Sequence, residues 1–101
     1  MSSKKQNILL LGGGGRECEI AWKLKNSEQC GNLYIAPGNA GTRDYGTNLP
    51  VAVGDFAGIK AACLEHNIDI LFVGPEDPLV AGVWDFMKSD EALKHIIVVG
   101  P

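Results

Sequence analysis

The chain has 101 residues, 46% hydrophobic and 21% charged, with a net charge of −3. That length holds one small domain, whose core withdraws roughly 60–65% of the unfolded surface from water. A pI of about 5.2 argues against the basic face of a nucleic-acid-binding domain, and no apolar run approaches the ~20 residues of a membrane span.

The N-terminal residues 1–6 are polar and lead into an apolar run, Ile8 to Leu11, that is too short for the core of a signal peptide. A cytoplasmic protein is expected. Cys18, Cys30 and Cys63 are odd in number and widely spaced, with no Cys-x-x-Cys pair, which argues against a disulfide framework or a zinc site. Only Cys18, in the first turn of an expected helix, sits where a thiol pKa can fall.

The stretch that organises the rest is residues 7–17, Asn-Ile-Leu-Leu-Leu-Gly-Gly-Gly-Gly-Arg-Glu. A short aliphatic run ending in glycines reads as a buried parallel strand. Residues 16–26 then read as a helix, with Ile20, Ala21 and Leu24 on one face and Trp22 and Lys25 on its flank. Residues 27–32 are a connector, and a second strand covers 33–36, stopped by Pro37. A turn-rich loop over 37–42 continues irregularly to about residue 48, long enough to point to function.

A weak third strand is expected over 49–53, with Pro50 marking it as an edge. Asp55 reads as the N-cap of a helix over 56–66, with Ile59, Ala62, Cys63 and His66 on one stripe and Asn67 as its C′ residue. Residues 69–73 form a fourth strand, broken by 74–78, Gly-Pro-Glu-Asp-Pro. Val80, Val83, Trp84 and Met87 mark a third amphipathic helix. Residues 89–94 read as a polar linker, and 95–99 as a fifth strand ended by Gly100 and Pro101.

Strands alternating with helices make a doubly wound, mostly parallel five-stranded Rossmann-like α/β sheet with helices on both faces. Ligand loops belong at the carboxyl ends of the strands, so residues 12–15, 37–42 and 74–78 are expected to meet beside the first strand. No helix follows to cover the fifth strand, so the chain reads as a single domain, 1–101, cut from a longer protein.

A glycine loop opening a helix reads as a site for phosphate or another anion, because unpaired N–H groups and the helix dipole converge there. A purely structural turn is the alternative, though four glycines cost more chain entropy than one turn needs. Arg16 can neutralise the anion with a forked donor or be a solvated surface residue. Glu17 can contact ligand or only complement the dipole. Glu76, held in a stiff turn, can accept from sugar hydroxyls, while Asp77 suits a cap. Asn39 can meet a ligand or stabilise its own turn. His66 and His95 read as structural or solvated. A nicotinamide-binding domain of an oxidoreductase is an alternative, since Gly12 and Gly14 fit its fingerprint. Glu17 replaces the third glycine, however, and no acid ends the second strand to hold a ribose hydroxyl. A non-enzymatic module that binds a phosphosugar or nucleotide is a further reading.

Gly-Gly-Arg-Glu after the first strand, Pro-Gly-Asn-Ala-Gly-Thr after the second and Gly-Pro-Glu-Asp-Pro-Leu after the fourth occur in order at fitting distances. With Ala21-Trp22-Lys23 and the closing Gly100-Pro101, the chain from Asn7 to Pro101 resembles the N-terminal domain of the phosphoribosylamine–glycine ligases (glycinamide ribonucleotide synthetases) of the ATP-grasp superfamily. The resemblance implies an ATP-dependent carbon–nitrogen ligase of purine biosynthesis, acting on glycine and 5-phosphoribosylamine. ATP and Mg²⁺ are implied to bind the ATP-grasp domains of the same polypeptide rather than this fragment, which is expected to be inactive alone. It further implies Gly14, Gly15 and Arg16 as the anion loop, and Glu17, Asn39 and Glu76 as contacts to the substrate. Pro37, Gly38, Gly41 and Thr42 then shape the second loop, and Gly74, Pro75 and Pro78 the third. Two departures stand out: Cys18 replaces the histidine that usually follows Gly-Gly-Arg-Glu, and residues 89–94 differ in length and polarity.

Overall fold

A computed structural model of the chain describes residues 5–12, 15–28, 30–52, 54–73 and 80–99, of which 15–18, 80 and 81 are described in their backbone alone. The elements run β1 (Gln6–Gly12), α1 (Gly15–Lys25), β2 (Cys30–Pro37), a 3₁₀ turn (Thr42–Asp44), β3 (Thr47–Asn48), α2 (Phe56–Glu65), β4 (Ile70–Val73), α3 (Val80–Ser89) and β5 (Ile97–Val99). The strands form one sheet in the order β3-β2-β1-β4-β5, and every pairing is parallel. The chain winds outward from β1 to β3, then returns to the other side of β1, which places the switch point between β1 and β4.

Side-chain alternation along the strands splits the core in two. On one face Leu9, Leu11, Leu71 and Val73 pack against Ile59, Ala62 and Cys63 of α2 and Val83 and Met87 of α3. On the other, Ile8, Leu10, Leu33 and Ile35 pack against Ile20, Ala21 and Leu24 of α1. β1 therefore contributes to both cores, which is why its aliphatic run is continuous rather than alternating.

The helix signals hold where they are local. Asp55 caps α2, its Oδ1 accepting from the Gly58 N–H at 3.0 Å. Asn67 follows the C-cap with φ of +52°. His66 is half-buried and stacks on Tyr34, ring centroids 4.3 Å apart. Trp22 lies exposed on the flank of α1.

The strand limits differ from the sequence expectation. β2 begins at Cys30, within the expected connector, and keeps Pro37 as its last residue. The third strand is Thr47–Asn48 rather than 49–53, but it is an edge, as Pro50 predicted. Its position is set by β2, because Thr47 and Asn48 pair with Tyr34 and Ile35. β5 is Ile97–Val99; Ile96 precedes it and turns into the α2–α3 core.

One apolar assignment also changes. Trp84 is off the buried stripe of α3, 44% exposed, with Lys88 Nζ 5.0 Å from its ring centroid. Phe86 packs inward instead, stacked on Phe56 at 5.2 Å. The polar 89–94 segment is a packed corner rather than a linker. Leu93 is fully buried within it, and Asp90 receives the Ala92 N–H and pairs with Lys60 at 2.8 Å. The Lys60 hydrogen bond, aided by the Ala92 N–H, holds the Asp90 carboxyl below the usual carboxylate range.

Candidate functional site

The carboxyl ends of β2, β1 and β4 lie side by side. Gly12 is level with Pro37 in the β1–β2 ladder, and Leu11 with Val73 in the β1–β4 ladder. The three expected ligand loops thus spring from adjacent strands, each roughly 4.8 Å from the next. The first two are joined directly, since the Gly38 N–H donates to the Gly12 carbonyl at 3.1 Å. Gly12 has φ of +139°, a conformation that only glycine adopts readily, so the turn out of β1 depends on it. α1 begins at Gly15, which brings the positive end of its dipole to this same rim.

The second loop is held by its own side chains. Asn39 Oδ1 accepts from the N–H groups of Gly41 and Thr42 at 2.8 and 3.0 Å. Thr42 Oγ1 accepts from the Asn39 N–H at 2.8 Å, and its own proton faces the Asn39 carbonyl at 2.9 Å and Asn48 Oδ1 at 2.8 Å. Asn48 Nδ2 closes the circuit by donating to the Asn39 carbonyl at 2.8 Å. Thr42 is fully buried. Gly38 sits against this cluster with φ of +74°, and a Cβ there would meet Asn48 Oδ1, with Asn48 Cγ 2.6 Å away and Thr42 Oγ1 2.8 Å away. Such a loop is fixed before any ligand arrives, which avoids the entropy cost of ordering it on binding.

Of the residues singled out in the sequence, Pro37 is exposed at the end of β2, while Gly38, Asn39 and Gly41 are half-buried around the loop. Thr42 faces inward, so its part is to hold the loop's shape. Gly15, Arg16 and Glu17 form the first turn of α1 in their backbone. Gly14, the side chains of Arg16, Glu17 and Cys18, and the whole of Gly74, Pro75, Glu76, Asp77 and Pro78 lie outside the described residues. Among the described residues, no three His, Cys, Asp or Glu side chains converge to hold a metal ion. No described helix is long and apolar enough to cross a membrane.

The family model described as "Phosphoribosylglycinamide synthetase, N domain" matches residues 6–101. The chain belongs to this family. It is 44% identical over 85 residues to a phosphoribosylamine–glycine ligase of Rhodopirellula baltica, covering 84% of this chain and 20% of the relative. It is 43% identical over 95 residues to the enzyme of the same name from Mesorhizobium japonicum, covering 94% of this chain and 21% of the relative. A trifunctional purine biosynthetic protein of Gallus gallus is 42% identical over 84 residues, covering 81% of this chain and 8% of that protein. The chain therefore spans about a fifth of the length of the single-function relatives.

Two structural residues of this N domain escaped the sequence reading. Asn48 completes the second loop, and the only signal was an asparagine beside an expected edge strand. Asn7 pins the opposite end of the sheet. Between Gln6 and Ile8 the β1–β2 register slips, because β2 carries an extra residue there. Asn7 Oδ1 accepts from Asn32 N and Nδ2 across the irregularity, at 3.3 and 3.2 Å. Its Nδ2 faces the carbonyls of His66 and Asn67, both at 3.2 Å, and its N–H donates to Asp69 Oδ2 at 2.9 Å. One side chain thereby ties β1, β2 and the α2–β4 turn together. The buried thiols carry no such role. Burial pushes Cys63 up to about 11, and burial raises Cys30 against the pull of Lys5.

Proposed function

We propose that this chain is the N-terminal, substrate-receiving domain, residues 1–101, of a phosphoribosylamine–glycine ligase. The full-length enzyme transfers the γ-phosphoryl group of ATP to the glycine carboxylate, giving an acyl phosphate and ADP. The amine of 5-phosphoribosylamine attacks the acyl carbon, loses a proton and expels phosphate, leaving glycinamide ribonucleotide for purine biosynthesis. ATP and Mg²⁺ belong to the ATP-grasp domains of the same polypeptide, and the work is cytoplasmic. Neither nucleic acid nor membrane is a partner.

In this reading Gly14, Gly15 and Arg16 receive the anionic end of the phosphoribosyl substrate at the start of α1. Glu17, Asn39 and Glu76 meet its ribose, amine or phosphate. Pro37, Gly38, Gly41 and Thr42 fix the second loop around it, and Gly74 and Pro75 with Pro78 aim Glu76. The family match along residues 6–101 carries the reading, supported by the adjacent roots of the three loops.

The test is ligation by the full-length protein, with 5-phosphoribosylamine generated in the assay. Glycinamide ribonucleotide is expected from the full-length protein and none from the isolated chain. Arg16→Gln is expected to raise KM for the phosphoribosyl substrate by roughly 10–100-fold, the equivalent of one charged hydrogen bond. Ligation by the isolated chain, or none by the full-length protein, overturns the proposal.

A further inference from the structure

The second loop is anchored from outside itself by Asn48. Asn39 Oδ1 takes the N–H groups of Gly41 and Thr42, bonds that close within three positions of chain. Asn48 reaches in from β3, six positions from Thr42 and nine from Asn39. The two ends of its amide have different partners. Nδ2 donates to the Asn39 carbonyl at 2.8 Å, and Oδ1 lies 2.8 Å from the Thr42 hydroxyl. β3 is only two residues long, shorter than an ordinary strand, so its ladder adds little to the sheet. What it does is fix Asn48. Asn48 is level with the fully buried Ile35, and the Leu49 N–H donates to the Ile35 carbonyl at 2.7 Å. The approach to β3 is equally tight, since a Cβ on Gly46 would come within 2.5 Å of the Leu33 carbonyl oxygen.

We propose that Asn48 is a positioning residue for the phosphoribosyl substrate: it carries the β2–β3 pairing into the loop and so sets where Asn39 stands against that substrate. The inference rests on the reading of the second loop as part of the phosphoribosyl site. The anchor takes hold at the main chain of Asn39. The Asn39 carbonyl receives the Asn48 amide, and the Asn39 N–H donates at 2.8 Å to Thr42 Oγ1, the same hydroxyl that Asn48 Oδ1 faces. One residue back, the Gly38 N–H donates to the Gly12 carbonyl at 3.1 Å, so a displaced second loop is felt at the glycine loop read as the anion site. Gly38 has no slack to absorb the shift, because the Asn48 amide fills the space that a Cβ would take there. The requirement is for an amide in particular. A donor on one atom and an acceptor on the other serve both partners at once. A carboxylate of the same shape keeps the Thr42 hydroxyl but sets an oxygen against the Asn39 carbonyl, two acceptors 2.8 Å apart with no proton between them. The loop then has to move, and a ligand-contacting residue that moves with it loses its alignment.

The test is Asn48→Asp in the full-length protein, with steady-state ligation measured against 5-phosphoribosylamine, glycine and ATP in turn. KM for 5-phosphoribosylamine is expected to rise roughly tenfold or more, with KM for glycine and for ATP held within about twofold. Asn7→Ala is the comparison, because it destabilises the same domain from the opposite end of the sheet, and it is expected to move no KM. An Asn48→Asp protein that behaves likewise, losing stability without a change in KM, overturns the proposal. A rise shared equally by all three substrates also overturns it, since the loop is then a general support rather than a part of the phosphoribosyl site. Should Asn48→Asp fail to fold, Asn48→Ala makes the same measurement, because it leaves the Asn39 carbonyl without its donor and adds no charge. Absence of ligation by the unaltered full-length protein refutes the assigned reaction and this inference with it. Ligation by that protein with an unmoved KM in the Asn48 variants refutes this inference alone.

Discussion

Replacing Gly38 by alanine puts a methyl group where the second loop has no room for one. Two costs follow from the structure. The φ of +74° is left-handed, which costs an alanine roughly 1–2 kcal/mol. The new Cβ also collides with the Asn48 amide and approaches Thr42 Oγ1 at 2.8 Å. Asn48 is firmly held, so moving it gives up its bonds to the Asn39 carbonyl and Thr42, at roughly 0.5–1.5 kcal/mol each. The total is about 3 kcal/mol, or a fall in Tm of about 10–20 °C for a domain of this size. Urea unfolding followed by far-ultraviolet circular dichroism measures it. The double variant Gly38→Ala/Asn48→Ala separates the two costs. With the Asn48 amide gone, the methyl loses its chief obstacle, and the double variant is expected to be more stable than the two single losses added together. A Gly38→Ala loss below about 0.5 kcal/mol, or strict additivity, refutes this account of the loop.

Asn7→Ala is expected to cost about 2 kcal/mol in the same unfolding assay, since it strips hydrogen bonds from Asn32 and from the α2–β4 turn. Asp55→Ala removes the cap of α2 and should cost about 1 kcal/mol, with Asp55→Ser recovering most of it. For Cys63 the sign follows from its raised pKa. The unfolded thiol ionises near 9.0 and the folded one near about 11, so its contribution is intact below the lower value and falls as pH rises between them. Urea unfolding from pH 8 to pH 10 should show the native chain losing about 1 kcal/mol more than Cys63→Ala over that range. Equal losses would show that Cys63 ionises normally in the folded chain.

The legible parts of this protein were those written in a few neighbouring residues. The aliphatic run into glycines placed β1 and the start of α1. Asp55 and Asn67 marked the ends of α2, because a cap is a bond within one turn of chain. The order of strands and helices, with right-handed connections, led to the doubly wound sheet, and three short motifs in sequence pointed to the family. What the sequence left open lies between elements distant along the chain. β3 is two residues long at a place its own composition does not mark, because β2 supplies its partners. Trp84 and Phe86 were sorted by what faces α3, a Phe56 ring on one side and solvent on the other. Asn7 reaches Asp69, 62 positions away, and Asn32, 25 positions away. Hydrophobic periodicity and capping are short-range and determine which elements form. Register, edge pairing and polar pins depend on distant residues brought together, and only the folded chain decides them.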